Sequence, residues 1–244
     1  MRIILSRKGF DSTSGGGPSP IVAGRPHSLP IPDRKGLSPV TYGDLGLGAE
    51  AAQASKGRFG PDDACHHDPM FLAGGTAILG QCHAAQGHLV KQGVREGDVF
   101  LFFGLFDGEG EGRHHRVFAY LVIEQRIDLV TCDEDTRARY RTLGQPHAFG
   151  LHGANDMLYV GRGPAAKTVP ASLRLTAPGE KPSQWIVPDW LHRTGLSCHD
   201  AAWRWGEEGR LQAVSRGQEF VAPVGGDPEP RAWLKSMIAA IEAC

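Results

Sequence analysis

The rhythm of apolar and polar positions changes several times along the chain, and each change predicts an element. Ile3, Ile4 and Leu5 make residues 1–6 a short strand with a buried run. Residues 99–106 (VFLFFGLF) read as a strongly apolar, aromatic strand, and 116–127 (RVFAYLVIEQRI) as a second. The stretch DGEGEG at 107–112 separates them, so the pair predicts a long-looped hairpin. A helical rhythm runs over 79–92, where Ala84, Ala85, His88 and Leu89 recur near helical spacing and Gly93 offers a stop. Residues 227–243 predict a closing amphipathic helix. Asp227 suits its N-cap and Pro228 its first position, with Trp233, Met237, Ile238 and Ile241 on one face.

Weaker signals fill the gaps. Short helices are expected over 49–55 and 133–140, and strands over 158–161, 172–176 and 212–222. Gly15-Gly16-Gly17-Pro18 marks a turn, the prolines of 28–32 enforce extended chain, and 62–69 (DDACHHDP) reads as a loop. No repeat and no linker divides the chain. The expected architecture is therefore one α+β domain over 1–244. Its sheet is mixed or largely antiparallel, with flanking helices and the amphipathic helix at the C-terminus.

Composition narrows the function classes. Lys and Arg number 26 against 27 Asp and Glu, so a wholly basic nucleic-acid surface is excluded and only a local patch can serve. No apolar run reaches the about 18 residues of a membrane span, and the first residues are too short an apolar stretch for a secretory signal. The cysteines, Cys65, Cys82, Cys132, Cys198 and Cys244, are scattered with no CxxC pair, which predicts a reduced, cytoplasmic setting.

Histidine supplies the candidate chemistry. Cys65-His66-His67-Asp68 gathers two imidazoles, a thiol and a carboxylate. His66-x-Asp68 is the spacing that opens a two-His-one-carboxylate site for one divalent iron or zinc, completed by a distant ligand such as His115 or His199. The same residues also suit a turn in which Asp68 caps a backbone N–H. His83 and His88 fall about 140° apart on the expected helix, so they cannot pair as i, i+4 ligands. Gln81, Ala84, Ala85 and His88 can share one buried or cleft-facing side. His114 and His115, with Arg113 and Arg116, are either a cationic mouth or the exposed base of the hairpin. His147 and His152 flank a turn before Asn155, which suits a base edge or a turn equally. Arg216-Gly217-Gln218-Glu219 and Arg7-Lys8-Gly9-Phe10-Asp11 each set charges at strand-like positions, where they must be paired or used. No nucleophile elbow, P-loop, dinucleotide or kinase motif is present.

An ordered set of pieces then gives a resemblance. Ser6-Arg7-Lys8-Gly9-Phe10-Asp11-Ser12, Pro18-Ser19-Pro20-Ile21 and Ser28-Leu29-Pro30-Ile31-Pro32-Asp33 come first. Cys65-His66 with Asp68-Pro69 and Gly80-Gln81 with Ala84-Ala85-Gln86 and His88-Leu89 follow. Phe102-Phe103-Gly104, His115 with Tyr120-Leu121, Pro146-His147, Tyr159-Val160 and Arg216 to Phe220 complete the set. Together they resemble the nucleotide modification associated domain 3 family over nearly the whole chain. Ala119 stands where that pattern would have glycine, and His67 where it is variable. The resemblance implies an association with nucleobase or nucleotide modification, and a polar site drawn from Asp11, His66, Asp68, Gln81, His88, His115, His147, Arg216 and Glu219. A fainter likeness, carried by Arg95 to Phe103 and Tyr120-Leu121-Val122-Ile123, is to the barrel hairpin of PUA-like domains of the EVE and ASCH kinds, which implies an aromatic base pocket.

Two functions follow as expectations. In the first, an enzyme acts on a nucleotide or on a DNA base flipped from its stack. Phe102, Phe103 or Tyr120 would stack the base, while Asn155, Gln218, Gln81 and His147 would contact it. Glu219 or Asp11 would be the base, His115 or His88 the acid, and Arg7 and Arg216 the phosphate holders. A metal at His66, Asp68 and His115 would assist. In the second, the same aromatic pocket reads modified bases without changing a bond. Either way the partner is a nucleotide or nucleic-acid base, alongside other base-modification proteins, and not a membrane.

Overall fold

The two dominant apolar runs form the longest strands, and the rest of the fold is laid against them. The structure is a computed structural model, and it describes all residues except 109, 208, 216–218 and 244. The strands are β1 (Arg2–Arg7), β2 (Ser19–Val22), β3 (Arg25–Pro26), β4 (Ile31–Pro32), β5 (Cys65–His66), β6 (Met70–Phe71) and β7 (Thr76–Gln81). They continue with β8 (Val99–Asp107), β9 (His114–Asp128), β10 (Met157–Arg162), β11 (Gln184–Ile186), β12 (Arg210–Gln212) and β13 (Glu219–Pro223). The helices are α1 (Gly48–Ser55), α2 (His83–Lys91), α3 (Glu134–Thr142), α4 (Asp189–Thr194) and α5 (Pro228–Glu242).

The main sheet runs β13-β1-β8-β9-β10-β7-β6, with β2 and β3 extending from the end of β8. β1 lies parallel to β8 and antiparallel to β13, while the β8 to β10 meander and β7 are antiparallel. The fold is thus α+β with a mixed sheet curled into a half-barrel. Why β8 is apolar at nearly every position is now plain: it is central and buried on both faces. Val99, Leu101 and Phe103 enter one core with Trp185, Trp190 and Phe220, beneath α4 and α5. Phe100, Phe102 and Phe106 enter the other with Leu79, Leu89 and Tyr159, beneath α2. A bulge opposite Phe102 and Phe103 lets Phe118 and Ala119 both face the second core, after which β9 resumes its alternation.

The closing helix forms as its pattern predicts. Asp227 accepts from the N–H of Glu229 at 3.0 Å, Pro228 opens the helix, and Leu234, Met237 and Ile241 are buried. Likewise Asp133 caps α3, accepting from the N–H of Thr136 at 2.7 Å.

Four expectations are corrected. The helix expected from residue 79 begins at His83, because 76–81 pairs as a strand with β10, Gly80 opposite Leu158. Gln81 therefore leaves a strand end rather than a helix face. The 212–222 run divides into β12 and β13, and 172–176 holds a short 3-10 turn followed by isolated bridges at Arg174 and Thr176. The 62–69 loop contains β5, which pairs with β4. No helix among the described residues is long and apolar enough to cross a membrane.

The curl brings distant strand ends together. Gln81 Nε2, at the end of β7, donates to Oε1 of Glu219 at the start of β13, although these strands stand near opposite ends of the sheet order. The cleft opens beside this junction.

Candidate metal centre

A cleft of about 650 Å³ is lined by the residues that leave β1, by the β4 to Lys35 loop, by β5 and Asp68, by the end of β7, and by His147 and His152. In its wall, one ligand atom each from His66, Asp68 and His147 lie within 4.8 Å of one another. Some point is then within about 2.8 Å of all three, against the about 2.0–2.2 Å of a nitrogen or carboxylate bond to zinc. Modest side-chain adjustment closes that gap.

Each donor is held from behind. Asp68 follows β5, and its Oδ1 accepts from the Gly80 N–H at 2.8 Å and from Gln145 Nε2 at 3.0 Å. Gln145 also caps the 3-10 turn Pro146–Ala148, accepting through Oε1 from the His147 N–H at 2.8 Å. One amide thus positions two donors. His147 is 3% exposed, and its Nδ1 donates to Oδ1 of Asp156 at 2.5 Å, which leaves Nε2 as the free lone pair. The buried Asp156 is fixed in turn by the His152 N–H, at 2.7 Å from Oδ2. This carboxylate–imidazole–ligand order is the outer-shell arrangement of metal-binding histidines. The His147 ring lies so close to β7 that a Cβ on Gly80 would stand 2.2 Å from its Cδ2. Glycine at 80 is therefore required by the ring, not by a turn.

Electrostatics favours neutral imidazoles. Burial pushes His66 down to about 4; Asp68 opposes this, and His147, His152 and Lys8 add to it. Burial and then His147 lower His152, whose ring stacks on His147 with centroids 4.3 Å apart. The His66 ring meets both at 5.0 and 5.2 Å. His66 and His152 are thus neutral near neutral pH, and the neutral His66 offers the lone pair that metal binding requires. Burial, then Asp156, raises the thiol of Cys82 in the same cleft.

The expected site residues divide into two groups. His66, Asp68 and His147 form the cluster, and Arg7, Asp11 and Gln81 also line the cleft. Asp11 turns inward on its own loop, its Oδ1 accepting from the N–H groups of Thr13 and Ser14 and from the Thr13 hydroxyl. Glu219 lies just behind, 2% exposed, bound by Ser6, Lys8 and Gln81.

The others lie elsewhere. His115 faces the Trp185 side, its Nδ1 accepting from Trp185 Nε1 at 3.0 Å, so the residue that joins His66 and Asp68 in a group able to hold a metal is His147 and not His115. His199 is buried against Phe220 with Nδ1 bonded to Ser197 O. His88 reaches from α2 to Ser197 Oγ at 2.9 Å. Phe102 and Phe103 are fully buried in opposite cores, and Tyr120 sends its hydroxyl to Glu242. None of these three lines the cleft. Asn155 clamps the backbone of His83 at both its N–H and its carbonyl. His114 and Arg116 are buried, joined to each other and to Glu111, whereas Arg113 is exposed, so the strand end is no open cationic mouth and only its Arg113 side is exposed. Arg216 and Gln218 fall outside the described residues.

Sequence reasoning passed over Lys8, Gln145, His152 and Asp156 as site residues. Lys8 stood beside Arg7 and His152 near His147, but nothing in their spacing tied them to His66.

The molecule is thus an α+β protein that carries a three-donor cluster in the wall of a polar cleft. The chain belongs to the nucleotide modification associated domain 3 family, which matches residues 2–223. No curated protein and no solved structure gives a significant match.

Proposed function

We propose that the protein is a metal-dependent enzyme of nucleotide modification, with His66, Asp68 and His147 holding one divalent iron or zinc ion. The observation that carries this reading is the donor cluster itself, braced by Asp156 and Gln145 and facing the cleft. The family supplies the association with nucleotide modification. The proposed substrate is a free nucleotide or a DNA base flipped from its stack. A cytoplasmic setting, action alongside other base-modification proteins, and one functional domain over the whole chain complete the proposal.

Three protein donors are fewer than the four of a closed structural zinc site, which suits a centre that also takes water or substrate. Bound there, such an ion would supply Lewis acidity and a more acidic water. The chain's own part is positional. Asp156 keeps the His147 proton on Nδ1, Gln145 and the Gly80 N–H aim Asp68, and the cleft admits a ligand of nucleotide size. The base-reading alternative needs a stacking wall, and among the described residues lining the cleft histidines supply the only aromatic rings, His66 and His147 among them being members of the donor cluster.

Inductively coupled plasma mass spectrometry on protein purified without chelators tests the proposal. About one iron or zinc per chain is expected, lost in His147→Ala and Asp68→Ala. Metal-free protein that also fails to take up added zinc or iron would overturn it.

A further inference from the structure

Lys8 is fixed from two directions. Its backbone N–H donates to Phe103 O at 2.8 Å, and its ammonium donates to Oε1 of Glu219 at 3.2 Å. Only 9% of its side chain is exposed, yet the residue lines the cleft. An ammonium has three N–H donors. One goes to Glu219, and no hydrogen bond to a described residue uses the other two. Glu219 takes Ser6, Lys8 and Gln81 all on Oε1, so it holds the ammonium from one side without enclosing it.

Arg7 next to it is committed differently. Its Nη1 and Nη2 donate to the carbonyls of Ser215 and Val214 at 2.7 and 2.8 Å, and its guanidinium lies 5.6 Å from the Phe103 ring centre. Arg7 braces a segment, whereas Lys8 has donors to offer. Lys8 and all three residues of the donor cluster line the same cleft. The exposed Arg34 and Lys35 add positive charge to the same cleft.

We propose that Lys8 anchors the phosphate group of the nucleotide beside the His66–Asp68–His147 cluster. A buried-stem ammonium with two donors that no described residue takes suits an oxyanion. Phosphate, not base, is then the part of the substrate recognised nearest the metal donors. This deepens the function proposed above and rests on it for the nucleotide.

Removing Lys8 alone would leave the Glu219 carboxylate buried without its counter-charge. The test variant is therefore Lys8→Met with Glu219→Gln, with Lys8→Arg as the rescue and circular dichroism and thermal unfolding to confirm folding. Calorimetric titrations use inorganic phosphate, deoxyadenosine monophosphate, deoxyadenosine, and a short single-stranded oligonucleotide without a terminal phosphate. Phosphate and the monophosphate should bind, and deoxyadenosine should not. The folded double variant should lose about tenfold or more in affinity, and Lys8→Arg should keep most of it. Lys8-dependent binding of the oligonucleotide would identify a phosphodiester as the source, and its absence a free or terminal phosphate.

Deoxyadenosine binding as tightly as its monophosphate, or phosphate affinity unchanged in the double variant, would overturn the inference. Metal content of the same preparations separates the two proposals. Lys8-dependent phosphate binding in a protein that takes up no metal would sustain the phosphate site and sink the metal centre. Stoichiometric metal with Lys8-independent phosphate binding would do the reverse.

Discussion

Gly80→Ala puts the metal reading under the sharpest strain. The added methyl would stand 2.2 Å from Cδ2 of His147 and 2.6 Å from both Cγ and Nε2. Carbon contacts are comfortable from about 3.5 Å, so the ring would need to retreat by about 1.3 Å. It has little room, since Nδ1 is tied to Asp156 at 2.5 Å and the backbone N–H to Gln145. Metal bonds tolerate only about 0.2 Å. The retreat therefore removes Nε2 from the cluster. The loss in zinc affinity should exceed the about 10–100-fold that follows from losing an outer-shell partner. Overpacking itself costs about 1–3 kcal/mol, which a domain stable by about 5–15 kcal/mol survives. Competition with a chromogenic zinc chelator measures the affinity, and a thermal melt confirms that the variant is folded. Wild-type zinc affinity in folded Gly80→Ala would show that His147 is not a ligand.

Further outcomes are expected. Gly87, within α2, has nothing within 4 Å of an added Cβ, so Gly87→Ala should stabilise by about 0.5–1 kcal/mol in urea unfolding and leave zinc affinity unchanged. Asp156→Asn removes the carboxylate charge and leaves one acceptor oxygen for two N–H donors, His147 Nδ1 and the His152 backbone, and should weaken zinc binding about 10–100-fold. His115 is pushed down to about 3 by burial and then by Arg7, so it is neutral in the fold and takes up a proton on unfolding below its ordinary value of 6.5. Its contribution to stability is thus full above 6.5 and declines as pH falls towards 3, by up to about 1.4 kcal/mol per pH unit. Chemical unfolding of His115→Gln between pH 7 and 4 should show a shallower loss than wild type. Asp227→Ala removes the cap of α5 and should cost about 1 kcal/mol in the same assay.

The sequence carries the fold where local rules and tertiary needs agree. The 99–106 run, its hairpin partner and the capped helix α5 are legible because burial on two faces or on one helical stripe leaves its own pattern. Residues 76–81 are not, because a short apolar run satisfies a strand and a helical turn equally until β10 pairs with it. The site divides in the same way. His66 and Asp68 are legible as local neighbours. His147 as their third donor is not, since only the packing of the 146–148 turn over Gly80 brings it there. The candidate acid His88 lies on α2, as the helical rhythm predicts, but reaches Ser197 and does not line the cleft. The aromatic residues expected to hold a base are the ones the two cores needed.

The pairing of β1 with β13 sets an order of assembly. His66, Asp68 and His147, and strands β7 to β10, all precede β13 in the chain. The Ser6–Glu219 hydrogen bond joins residues 213 apart. At the about 5–20 residues per second of ribosomal synthesis, seconds pass between completion of β10 and arrival of Glu219. Donor gathering and the seating of Lys8 are therefore separate events in the life of a nascent chain. A message truncated before β13 would encode His66, Asp68 and His147 without the carboxylate that steadies Lys8.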